Sequence, residues 1–173
     1  MDLIIKLKEL DKIGDNQSIK DVLFQELRLT PRNLEILDFL LDYMGDYNTL
    51  YKYGEDYINV LFEIEEELPE YYKTQLCVLE AKLLNEHYNP QAAWETLVKG
   101  LIHFPSSDEI IGEIESIFDY PDDAPEATDA MENIGRLVAK KEFPKDTFEY
   151  LLLICDDPEY PEQFDLAKKI AFG

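Results

Sequence analysis

The chain of 173 residues reads as an all-α protein of about ten helices, stacked as antiparallel helical hairpins. Three observations lead there. Apolar residues recur at helical spacing along nearly the whole length: Ile19, Val22, Leu23 and Leu27 share one helical face, and Leu37, Leu40, Leu41 and Met44 share another. No stretch keeps the strict alternation of a half-buried strand, and valine is scarce. Glycine is rare, seven residues in all, which suits long helices joined by tight turns.

Taken in order, the pattern predicts helices at 2–13, 17–28, 31–44, 48–67, 70–87, 90–103, 107–118, 124–141, 145–155 and 160–171. The first is the Lys-interleaved apolar run that opens the chain, and the second carries the Ile19–Leu27 face. The third follows Pro31, and the turn Gly45-Asp46-Tyr47 separates it from the fourth. Pro69 precedes the fifth. Asn89-Pro90 supplies an N-cap and a first-turn proline for the sixth, where the missing N–H costs little. Ser107 ahead of Asp108 and Glu109 marks the seventh, since acids in a first turn suit the helix dipole. A loop at Phe118–Asp123 leads to the eighth, Pro144 to the ninth, and the last closes the chain.

Pro31, Pro69, Pro105 and Pro144 are each expected to open a new helix after a short break, at separations of 38, 36 and 39 residues by subtraction. Each interval holds two predicted helices, so the unit is a helical hairpin of the size used by solenoids, and residues 1–173 read as one helical-repeat domain. An irregular bundle with coincidentally spaced prolines is the competing reading.

The residues resemble the tetratricopeptide family over about a third of the chain. Ala81, Leu84, Ala93, Leu97, Gly100 and Pro105 fall at that family's small and large packing positions. Leu34, Leu37 and Leu41 precede Gly45-Asp46-Tyr47, which is similar to its inter-helix turn. Leu50 stands where the family prefers alanine, Glu80 replaces an apolar residue, the second helix is several residues too long, and residues 106–143 match poorly. HEAT-like or irregular α-hairpins therefore stay open. The resemblance implies an α-α superhelix that binds proteins on a concave face, and it names no ligand.

Charge narrows the functional classes. Sixteen Lys and Arg against 38 Asp and Glu give a net charge of −22, which excludes general nucleic-acid binding because phosphate is repelled. The imbalance is uneven. Residues 1–52 carry seven basic and ten acidic residues, a net of −3, whereas residues 53–173 carry nine and 28, a net of −19. A field this concentrated destabilises a compact state by self-repulsion, so a steering role is weighed against simple solubility. A hydrophobic content of 46 % excludes disorder, and no apolar run approaches a membrane span. The opening residues lack a signal-peptide pattern, and Cys77 and Cys155 read as isolated, reduced core thiols, which together point to the cytoplasm.

No catalytic constellation is found. His87 and His103 lie near helix ends outside any metal-ligand spacing, and no phosphate loop or nucleophile elbow occurs. Asp122-Asp123 and Asp156-Asp157 lack the alternating oxygen ligands of a calcium loop. The chain is expected to be no enzyme and to need no cofactor or metal.

Three segments contain no Lys or Arg: Tyr53–Tyr72 and Asp146–Ala167 with seven acids each, and Gly100–Gly135 with ten. Aromatics lie among or beside them, including Tyr51, Tyr53, Tyr57, Tyr72 and Tyr160. Singly, each tyrosine reads as a packing residue and each acid as solvated. Together they fit an interface, with tyrosine as anchor and carboxylates drawing in a basic partner. The candidate partner-binding residues are Phe118, Asp119, Tyr120, Asp122, Asp123, Glu126 and Asp129, with Glu63, Glu66, Glu67, Glu70 and Tyr71.

The overall character resembles acidic bacterial immunity proteins, including those of contact-dependent growth inhibition. That resemblance implies a chain, monomeric alone, that binds a basic toxin domain, such as a nuclease, over its substrate surface, with no role for nucleic acid or membrane. The alternative is a tetratricopeptide-like adaptor or secretion chaperone that cradles a client segment. An oligomeric scaffold ranks lower, since like charges oppose self-association.

Overall fold

The structure, a computed structural model, describes residues 2–173 apart from the side chain of Pro121. Among the described residues it holds ten α-helices, 3-10 turns at Glu65–Glu67 and Pro121–Asp123, and no strand. No helix is long and apolar enough to cross a membrane. The helices are α1 Leu3–Ile13, α2 Asn16–Leu29, α3 Leu34–Met44, α4 Tyr47–Glu63, α5 Glu70–Glu86, α6 Pro90–His103, α7 Asp108–Phe118, α8 Thr128–Ala139, α9 Lys145–Ile154 and α10 Asp165–Phe172. They form two compact units divided between Leu79 and Glu80, within α5.

Short polar side chains begin most of these helices by accepting first-turn amides. Asp2, Asp15, Asn33 and Asp46 cap α1 to α4, and Asn89 and Ser107 cap α6 and α7. Bonding to Ser18 and Thr49 holds the Asp15 and Asp46 carboxyls below the usual carboxylate range. Each interval between the four prolines contains two α-helices, but the prolines do not all open one. Pro69 and Pro144 immediately precede α5 and α9, whereas Pro31 and Pro105 sit in turns three residues ahead of α3 and α7.

Two helix ends use left-handed backbone without glycine, at Tyr88 (φ 58°) and Lys141 (φ 60°). Left-handed conformation costs a residue with a Cβ roughly 1–2 kcal/mol. Tyr88 follows α5 and is 94 % exposed, so its ring offsets little of that cost. The substitution Tyr88→Gly is expected to raise stability by about 1 kcal/mol in urea unfolding, because glycine adopts this conformation freely.

In the first unit α2, α3 and α4 pack against one another and α1 against α2 and α3. Leu7, Ile19, Leu23, Leu27, Leu40 and Leu61 are buried there. The Tyr57 ring meets Phe24 and Tyr43 edge-on at 5.5 and 5.8 Å between centroids. The Tyr43 hydroxyl donates to Asn16 Oδ1 at 2.6 Å, and burial pushes this phenol up to about 12. Lys20 and Arg28 lie over the Phe24 ring and pair with Asp56 and Glu63, tying α2 to α4.

In the second unit α6 packs on α7 and α8, α9 on α7 and α8, and α10 along α8. Trp94, Leu97, Ile114, Met131, Phe148 and Leu151 are completely buried. The α8–α10 approach depends on Gly135, where a Cβ would lie 2.8 Å from the Ala167 carbonyl oxygen. That close packing brings the residues before α8 and those before α10 to the same end of the unit.

Candidate functional site

The α7–α8 connection starts where Phe118 ends α7 and Asp119 donates its amide to the Glu115 carbonyl. The 3-10 turn closes with the Asp123 amide on the Tyr120 carbonyl at 3.1 Å. Residues 124–127 then run non-helically into α8, with Pro125 and Ala127 buried. Gln91 of α6 clamps this run from both sides: its Oε1 accepts the Glu126 amide at 2.8 Å, and its Nε2 donates to the Glu126 carbonyl at 3.2 Å. A surface segment rich in acids is thus held by backbone bonds rather than by ion pairs.

Asp119, Tyr120, Asp122, Asp123, Glu126 and Asp129 are exposed on this connection, with Tyr120 71 % accessible. No ion pair involves these carboxylates among the described residues. Phe118 differs from the sequence expectation. It is half-buried in the last turn of α7, its ring edge-on to Trp94 at 5.3 Å, so its role is partly structural.

The second predicted set lies in the first unit. Glu66 and Glu67 are exposed on the 3-10 turn above buried Leu68, and Glu70 starts α5. Tyr71 is half exposed and meets Tyr72 edge-on at 5.1 Å. Glu63 is already engaged, since Arg28 Nε and Nη2 reach its two carboxylate oxygens at 3.1 and 3.3 Å.

The structure adds a feature that sequence reasoning missed. The α7–α8 connection forms one wall of a cleft of about 870 Å³, and the loop from Cys155 to Gln163 forms the other. Asp156, Asp157, Glu159 and Glu162 line that second wall beside Tyr160, Pro158 and Pro161, while Phe118 and Glu126 come from the first. The loop is internally braced. Asp157 Oδ1 accepts the Glu159 amide at 2.9 Å, the Tyr160 amide donates to the Asp157 carbonyl at 2.9 Å, and Gln163 Nε2 donates to the Cys155 carbonyl at 3.3 Å. The signal was present in the sequence as the Lys- and Arg-free run Asp146–Ala167 containing Tyr160. What the sequence lacked was the α8–α10 packing that sets this run opposite Glu126.

One thiol, that of Cys155, lines the cleft. Burial pushes the Cys155 thiol far up, which disfavours the thiolate needed for nucleophilic or redox chemistry. Neither cysteine is in a disulfide. Among the described residues no three His, Cys, Asp or Glu side chains converge as metal ligands.

Elsewhere in the unit, burial raises the Glu113 carboxyl above its ordinary 4.5, Lys82 at 4.0 Å partly offsets this, and Glu86 adds to it. Because the folded value is raised, the fold carries a penalty at neutral pH that disappears once both states are protonated. The substitution Glu113→Gln is therefore expected to stabilise the chain at pH 7, with the gain vanishing in urea titrations below pH 4.5.

No family model, curated protein or solved structure matches this chain.

Proposed function

We propose that this chain is an inhibitor that acts by protein binding: an immunity protein that neutralises a basic bacterial toxin, such as a nuclease, by covering its positive substrate-binding surface. The reading is carried by the uncompensated carboxylates of the α7–α8 connection. Asp119, Asp122, Asp123 and Asp129 are exposed without ion-pair partners among the described residues, on a segment whose course Gln91 holds in place. A nuclease site must be electropositive to hold phosphate, so an array of exposed carboxylates competes for the same cations. Opposite fields also accelerate encounter, which suits an inhibitor that must reach its toxin before damage accumulates.

The reading assigns the chain no turnover of its own and places it in the bacterial cytoplasm, with contact-dependent growth inhibition as a fitting setting. The test is co-expression with the product of each adjacent gene in the source genome that is toxic when expressed alone. Growth rescue and a stable complex that weakens with salt are the expected outcome. Absence of rescue overturns the reading. Binding of an extended client that is indifferent to salt and to charge reversal on the connection would instead identify an adaptor or chaperone.

A further inference from the structure

Resting on that reading, we infer that the cleft between the α7–α8 connection and the Cys155–Gln163 loop is the seat for an arginine-bearing loop of the basic partner. The cavity, not the carboxylates alone, is the starting point. Its volume of about 870 Å³ lies within the range of sites that enclose a ligand, and its lining is divided by chemistry. Pro125, Ala127 and Cys155 are buried and give it an apolar floor, with the half-buried Phe118 ring beside them. Glu126 on one wall and Asp156, Asp157, Glu159 and Glu162 on the other supply negative charge, and none of the described lining residues is basic.

The rest of the unit does not supply the missing cations. It carries eight Lys and Arg against 21 Asp and Glu, a net of −13. Six of the eight, Arg136, Lys140, Lys141, Lys145, Lys168 and Lys169, fall on the C-terminal half of α8, the α8–α9 turn, the first residue of α9 and the middle of α10. The cleft adjoins the start of α8, the end of α9 and the start of α10. Lys141 and Lys145 line a separate cavity with Phe143 and Phe172, and Lys145 sits 5.2 Å from the Phe172 ring. The cleft lining thus has acids and no Lys or Arg, which favours an occupant that brings positive charge.

Arginine fits this lining better than lysine. Its aliphatic stem matches the apolar floor, its planar guanidinium pairs two-pronged with a carboxylate, and it stacks on an aromatic face such as exposed Tyr160. Gln91 and Gln163 each brace one wall through a backbone group.

A fluorescent decapeptide with three arginines in a glycine–serine background is titrated into the full chain. It is also titrated into the cleft variant D156N/D157N/E159Q/E162Q and into a control, E109Q/E142Q/D146N/E149Q, that removes four charges elsewhere in the unit. Both variants carry a net charge of −18, four units from the −22 of the natural chain. The expected result is at least tenfold weaker binding by the cleft variant, less than twofold change in the control, and at least tenfold weaker binding of the peptide with glutamine for arginine. Amide chemical-shift changes on the unmodified chain, which need no variant to fold, are expected to concentrate in residues 118–128 and 155–163. Equal weakening of both variants, or shifts spread over the acidic surface, overturns the inference. A chain that rescues growth with its cleft neutralised refutes the cleft assignment and leaves the inhibitor reading standing. A cleft that binds the peptide in a chain that rescues nothing refutes the inhibitor reading alone.

Discussion

Replacing Trp94 with alanine is expected to remove about 3–5 kcal/mol of stability, the usual cost of deleting a fully buried large aromatic. Trp94 is completely buried on α6, and its ring supports Phe118 at the end of α7. The loss therefore falls on the element from which the acidic connection departs. Set against a typical domain stability of about 5–15 kcal/mol, it leaves the second unit marginal. Urea unfolding gives the magnitude. Amide exchange is expected to show protection lost first around residues 91–128, and a Trp94→Ala chain as stable as the parent would refute this packing account.

The second large effect is functional. Reversing Asp119, Asp122 and Asp123 to lysine changes the net charge by six units, from −22 to −16, on side chains that are exposed and make no ion pair among the described residues. Stability is expected to stay within about 0.5 kcal/mol, as for surface changes generally. Affinity for the proposed basic partner is expected to fall at least about a hundredfold, since close charge pairs across interfaces couple at about 1.5 kcal/mol or more each. Much of the loss should appear in the association rate. Retained affinity with intact folding would remove the connection from the interface.

Most of the helical framework was legible because its punctuation is chemical. Asn89-Pro90 and Ser107 begin α6 and α7 within one residue of expectation, as caps with a free acceptor should. Errors arose where tertiary bonding overrode local pattern. Helix α8 starts at Thr128 rather than 124 because Gln91 captures the Glu126 backbone and Pro125 is buried. Helix α10 starts at Asp165 rather than 160 because Asp157 turns the chain through its own side chain. Helix α4 stops at Glu63, and the acids after it form a separate 3-10 turn. At the third helix Asn33, not Pro31, is the start signal.

The candidate site was half legible. The exposed acids of 119–129 follow from composition, since no Lys or Arg lies near them in the chain. The Asp156–Glu162 wall could not be assigned to the same place without knowing that Gly135 lets α10 lie against α8. Conversely, the engagement of Glu63 by Arg28 joins residues 35 apart and is invisible to local charge counting.

In the proposed mode of action, concentrated negative charge docks a basic protein. The measurement that decides it is the dissociation constant of the complex with the proposed toxin partner across a salt series from about 50 to 500 mM, over which screening shortens from roughly 14 to 4 Å. A rise of at least about tenfold, driven mainly by a slower association rate, is the predicted result. A dissociation constant that stays flat across the series would contradict it.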